Sequence, residues 1–351
     1  MTQNLIDAIA SDVQHNCDIV DARHGADMGM CAYLLKMREY YRWEKGVGFC
    51  DRLPRDDIGD WLSRREAHWE SLSDADYKQI SVDGERFDPF DGDAINDALE
   101  PLGLVYSGGL VGAGRPHFFL AHLESFDGPD GEDGYAVRVS GTELARGLSA
   151  PPAMSRERSI FLRREALRRY LWERLEIWRW NSPENALARA FGCYDFEGDL
   201  EGALDTMTER ELKTALQHEI GELEAASLLG GDWGQMLLDL LGTPAELMAR
   251  AARDCLADSL RTLPYLAERA HPASLHFLVG SLTNMRKEIF PGLVRAYQEW
   301  LQGGELEPFT ALADVGQGHW TKVTREMLAL HAHHGPAAAD PIAELVRDNY
   351  L

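Results

Sequence analysis

Between positions 211 and 230 the apolar residues Leu212, Leu216, Ile220 and Leu223, continued by Ser227, recur at i, i+3, i+4 spacing and draw one stripe along a helix. At about 100° per residue, Glu219 falls inside that stripe, Glu222 sits on its edge and His218 lies further round. A carboxylate shielded from water costs several kcal/mol unless something answers it, so the pattern calls for an arginine, a metal ion or a proton. The same periodicity predicts that the chain is helical to about position 73, with strong segments at 27–45 and 56–70 and a short helix at 93–102. The texture then changes. LVYSGG, HFFLAHL and YAVRVSG place aromatic and β-branched residues between glycine turns, which predicts a small antiparallel sheet near 104–140. After PPAM, helices are expected at 156–180, 184–191, 199–207, 209–229, 244–263, 274–301 and 317–333, separated by NSPE, GGDW, AHPAS and GGELEP. The fold expected is α+β and predominantly α-helical. Helices plus a small antiparallel sheet fill an N-terminal domain of residues 1–150, and an all-helical domain fills 151–351.

A second helical face carries polar groups. In 27–45, Cys31, Leu34, Leu35, Met37 and Tyr41 define the apolar side, with Asp27, Arg38 and, at its margin, His24 and Arg42 projecting from it; Lys36 and Glu39 are expected at the surface. Two readings follow. Arg38 could answer Glu219 as a buried ion pair that fixes packing, in a polar cluster of Asp27, Arg38 and Glu219. Alternatively His24, Asp27, His218, Glu219 and Glu222 could hold iron, manganese or zinc, since each side chain donates a lone pair. HEIGE (His218–Glu222) is one histidine short of the zinc-protease pattern HExxH and carries Glu222 in its place.

Other candidates are weaker. Asp254 and Asp258, i and i+4 on the edge of an apolar stripe, could supply further carboxylate ligands. Ser274 is expected to cap a helix, and His276 to turn away from the stripe of Leu278, Leu282, Met285 and Ile289. His331, His333 and His334 crowd one helix end. SGGLVGAGRP lacks the GK[ST] of a phosphate loop and reads as a hairpin, with His117 and Arg115 beside it. The one basic stretch, positions 156–179, mixes eight arginines with four glutamates and aromatics, a pattern that serves ion pairs in an acidic protein better than base stacking. No Gly-x-Ser-x-Gly elbow is present.

Composition narrows the classes. A net charge of −23 over 351 residues repels nucleic acid and anionic membranes, so neither is an expected partner. Five scattered cysteines without a CxxC pair argue against a zinc ribbon and for a reducing compartment. The acidic start lacks the basic region of a secretory signal, and no apolar run nears the roughly 18 residues needed to span a bilayer. A soluble cytoplasmic protein is expected.

The blocks DARHGADMGMCAYLLKMREYYRWEKG, RFDPFD, LVYSGGL, SGTELARGLSAPPAM, PENALARAFGCYDFE, LQHEIGE, PASLHF and MRKEIFPGL together resemble an uncharacterised bacterial family associated with sulfur-metabolising bacteria. The resemblance implies a cytoplasmic accessory or regulatory protein working through a protein partner, beside a dissimilatory sulfur pathway, and carries no catalytic residue. The alternative is a helical nonheme metal-binding protein or metalloenzyme.

Overall fold

The computed structural model describes residues 2–111, 115–129, 134–269 and 271–351, so the tips of the two expected glycine-rich loops, 112–114 and 130–133, lie outside the described residues. The chain divides into two units, each made of several segments. The first comprises residues to Gly128, Ala136–Pro152 and Phe161–Trp172; the second comprises Pro129–Tyr135, Ala153–Ile160 and Glu173–Leu351.

The first unit begins with α1 (Thr2–His24), α2 (Met30–Glu44) and α3 (Arg55–Glu70), followed by the hairpin β1 (Ile80–Val82) and β2 (Glu85–Phe87) and by α4 (Gly92–Leu99). Next come β3 (Leu104–Val111), β4 (Arg115–Asp127) and β5 (Ala136–Arg146), which pair antiparallel. With β6 (Ala153–Arg156) and β7 (Ser159–Arg163) they form a five-stranded mixed sheet in the order β3-β4-β5-β7-β6. Ile9, Val13 and Cys17 of α1 pack on Tyr106, Phe118 and Leu120 of the sheet, an apolar layer that removes one face of β3 and β4 from water. A second core joins Met37, Tyr40 and Tyr41 of α2 to Trp61 and Trp69 of α3.

The helical expectation for 156–163 fails. Ser159–Arg163 presents a buried Ile160-Phe161-Leu162 run, and Glu157 at φ 54° turns the chain, so these residues extend as a strand before α5 (Arg164–Asn181) begins. The face of α2 also differs from its pattern. Glu39 is only 1 % exposed, whereas Leu34 is 48 % exposed and Cys31 is exposed as well. The aromatic pair Tyr40 and Tyr41 claims the core against Trp61, and this rotates Glu39 inward to meet Arg38 and Arg42.

The second unit is helical through α6 (Ala186–Phe191), α7 (Leu200–Leu229), α8 (Asp232–Asp239), α9 (Pro244–Ala257), α10 (Leu263–Arg269), α11 (Pro272–Ser281), α12 (Asn284–Ile289), α13 (Pro291–Gly303), α14 (Glu307–His334) and α15 (Ala339–Arg347). A π-helical turn, Asp258–Thr262, joins α9 to α10. Buried leucines, alanines and aromatics of α9, α10, α13 and α14 form its core around Trp320. The two helices expected at 199–207 and 209–229 are one 30-residue helix, because the Thr208 hydroxyl bonds back to the Leu204 carbonyl at 2.7 Å instead of breaking the ladder. The single helix expected at 274–301 is three. Thr283 caps α12, and Pro291, which has no N–H to donate, opens α13. Ser274 is not a cap; it is buried and donates to Glu211 at 2.6 Å. His276 is buried too, 2.8 Å from the Tyr297 hydroxyl.

Candidate metal centre

The long helix α7 presents the HEIGE residues to the end of α9. What permits the approach is Gly221. A Cβ there would lie 2.4 Å from the carbonyl oxygen of Ala257, so any other residue would force α7 away from α9. Close packing brings one nitrogen of His218 and one oxygen each of Glu222 and Asp254 within 4.8 Å of one another. A first-row ion holds nitrogen and oxygen ligands at about 2.0–2.2 Å and so keeps any two within about 4.4 Å. Three donors sharing one ion stand about 3–4 Å apart, so a contraction of about 1 Å would close the group on an ion.

The surroundings fit that chemistry. Asp258, the first residue of the π turn and fully buried, lies 2.8 Å from His218 Nδ1. An ionised Asp258 holds the ring as the Nδ1–H tautomer and leaves the lone pair on Nε2, the arrangement that metal-binding imidazoles use. π turns recur where a helix departs from regularity to aim a functional side chain. Asp258 also accepts from Arg286, and Glu222 from Arg253 through Oε2. The other oxygen of Glu222, Oε1, is buried and without a hydrogen-bond partner.

Charge does not balance here. Glu219, Glu222, Asp254 and Asp258 supply four carboxyls against the guanidiniums of Arg253 and Arg286. Burial pushes the carboxyls of both Glu219 and Asp254 above their usual range; His218 opposes the shift at Glu219, and Arg286 opposes it at Asp254. The Ser155 hydroxyl hydrogen-bonds Glu219. Burial thus favours the protonated form at Glu219 and Asp254, and a dication would compete with those protons.

The N-terminal domain model of a family of unknown function, DUF6866, matches residues 8–163, and its C-terminal domain model matches residues 168–349. The chain belongs to this family. Neither the search of curated proteins nor that of solved structures found a match. Every member of the cluster falls within the segment matched by the DUF6866 C-terminal domain.

The candidates named from sequence separate into two groups. His218 and Glu222 come together with Asp254, while Glu219, next to His218 in the chain, is answered by Ser155. His24 and Asp27 belong to the first unit, where they lie 3.4 Å apart on the surface and Asp27 also meets Arg115 at 3.1 Å. Arg38 pairs with Glu39 at 2.8 Å. His331 bonds Asp239 at 2.8 Å, and the rings of His333 and His334 touch each other. Within the basic stretch, Arg163 meets Glu143, Arg164 meets Glu124, and Arg169 meets Glu165. Sequence reasoning missed the role of Gly221. An isolated glycine inside a strongly periodic helix was the available signal. No described helix is long and apolar enough to cross a membrane.

Proposed function

We propose that this protein binds a divalent first-row metal ion (manganese, iron or zinc) through His218, Glu222 and Asp254. The observation that carries the reading is the convergence of those three donor atoms within 4.8 Å. The buried, unpartnered Oε1 of Glu222 and the excess of carboxyls support it, as does the Asp258 contact that orients His218. A mixed set of one imidazole and two carboxylates suits manganese, iron or zinc better than a soft ion such as copper(I). The test is elemental analysis of untagged protein dialysed against each metal in turn. One equivalent bound by the wild type, lost in His218→Ala and Asp254→Asn and kept in His331→Ala, supports the site. Folded wild type that binds none of the three overturns it.

A second reading, an accessory protein acting through a partner, is favoured by the exposed Leu238, Leu241 and Leu247, which stand within ten residues of one another. The link to dissimilatory sulfur metabolism rests on the sequence resemblance and belongs to this reading. Capture of a defined partner from the native host, lost on Leu247→Glu, would favour it; unchanged capture by the variant would remove these leucines from the argument.

A further inference from the structure

The apolar residues that α2 fails to bury face an opening. Met30 is 72 % and Leu34 48 % exposed, and both line a cavity of about 530 Å³ between the end of α1, the start of α2 and the end of α3. Asp21 reaches this cavity from α1 and is itself only 5 % exposed. Both its oxygens share one donor, the Leu148 amide, at 3.0 and 2.8 Å. The aromatic walls are Trp69 and Tyr33, and the Tyr33 hydroxyl donates to Glu66 at 2.9 Å. Glu70 completes a set of three carboxyl groups, and none of the twelve lining residues is a lysine, arginine or histidine.

We infer that this cavity is a binding site for a small organic cation, an ammonium group carried on an aromatic or branched apolar body. The charge pattern selects the sign. Glu66 and Glu70 attract a cation and repel an anion, and indole and phenol faces add to the attraction through their ring quadrupoles. Methionines Met28 and Met30 supply soft, adaptable walls for the apolar body. The volume lies in the range of small-molecule sites, which combine mostly apolar linings with a few placed polar groups. Gly25 leaves the wall open: a Cβ added there would stand 3.9 Å from Trp69, Tyr33 and Leu148. Burial raises the Asp21 carboxyl to about 8, so an entering ammonium group would hold it in the ionised form. The site lies in the first unit and is independent of the metal reading.

The test compares three matched probes by calorimetry on the full chain: 2-(1-naphthyl)ethylammonium, the neutral 2-(1-naphthyl)ethanol and the anion 1-naphthylacetate. The ammonium probe is expected to bind about tenfold more tightly than the alcohol, with the anion weakest. Leu34→Lys, which sets a cation at the exposed mouth, should weaken the ammonium probe at least about tenfold while leaving the melting temperature unchanged. Val315→Lys, a similarly exposed change in the second unit, should leave binding as it is. Asp21→Asn should cost the ammonium probe more than the alcohol; if that variant does not fold, Leu34→Lys decides. Equal affinity for ammonium and alcohol, an inert Leu34→Lys, or no ammonium binding up to about 1 mM overturns the inference.

Discussion

In the first unit the buried carboxylates Glu39 and Glu143 each stand between two guanidiniums. Glu39 lies 2.8 Å from Arg38 and 3.4 Å from Arg42, while Glu143 lies 2.7 Å from Arg163 and 3.5 Å from Arg146. In the second unit four carboxyls gather around two guanidiniums and one imidazole. The first arrangement is self-sufficient: every carboxylate in it is answered by guanidiniums, and Arg163 further lies over the Phe119 ring at 4.2 Å. The second is not. Buried carboxylates fully answered by the protein's own cations read as architecture, and buried carboxylates that outnumber the cations beside them ask for something from outside.

The contrast can be broken most forcefully at Arg163. Arg163→Met strands Glu143 without its closest cation and should cost about 3–5 kcal/mol in urea unfolding. A loss below about 1 kcal/mol would show that the paired network is not structural. At the acid-rich cluster, manganese at a hundred times its dissociation constant should stabilise the wild type by about 2.7 kcal/mol. Asp254→Asn should show no such gain, and its metal-free form should be as stable as the wild type or better by up to about 1 kcal/mol, since one of the excess acids has gone. Identical manganese stabilisation in both proteins would dissolve the distinction between the two regions.

Gly221→Ala tests the packing that creates the imbalance. The added methyl group cannot fit beside the Ala257 carbonyl, so a loss of about 1–3 kcal/mol and weaker metal binding are expected together. Loss of stability with intact metal affinity would separate the close approach from the site.

The smallest effect is a slope. Burial raises the Asp21 carboxyl from 3.8 to about 8 and that of Glu211 from 4.5 to about 7. The folded state therefore keeps protons that the unfolded state has released, and their stabilising contribution is full at low pH and is lost as pH rises through about 4 to about 8. Asp21→Asn and Glu211→Gln should each flatten that decline in stability measured by denaturant titration; an unchanged slope in both would show that other groups set it.

Much of the fold could be read from periodicity. The stripe around Ile220, the glycine-bounded strands at 104–140 and the helices flanking Gly46 all follow from local pattern. What failed was the rotation of α2 and the breaks in the second unit. Glu39 looked exposed because a charged residue beside an apolar stripe usually is, and only the tertiary demand of Tyr40 and Tyr41 turns it inward. At the candidate site, HEIGE and the pair Asp254 and Asp258 were visible separately. Their meeting was not, because it depends on Gly221 letting two helices touch and on Asp258 starting a wider turn. Arg38 and Glu219 were matched by charge alone; Glu219 meets a serine hydroxyl, and Arg38 meets the neighbouring Glu39. Hydrophobic rhythm reports which face is covered; it does not report which polar groups arrive together.

The π turn at Asp258–Thr262 carries one residue more than an α-helical turn would need. Remove that residue, and α10 rotates by about 100° relative to α9. Leu263 and Leu266, both fully buried, then leave the core, or else Asp254 and Asp258 swing off α7. Ancestry should show the same bargain: among related chains, a single-residue gap in this turn and the pairing of a histidine with Asp258 should be mutually exclusive.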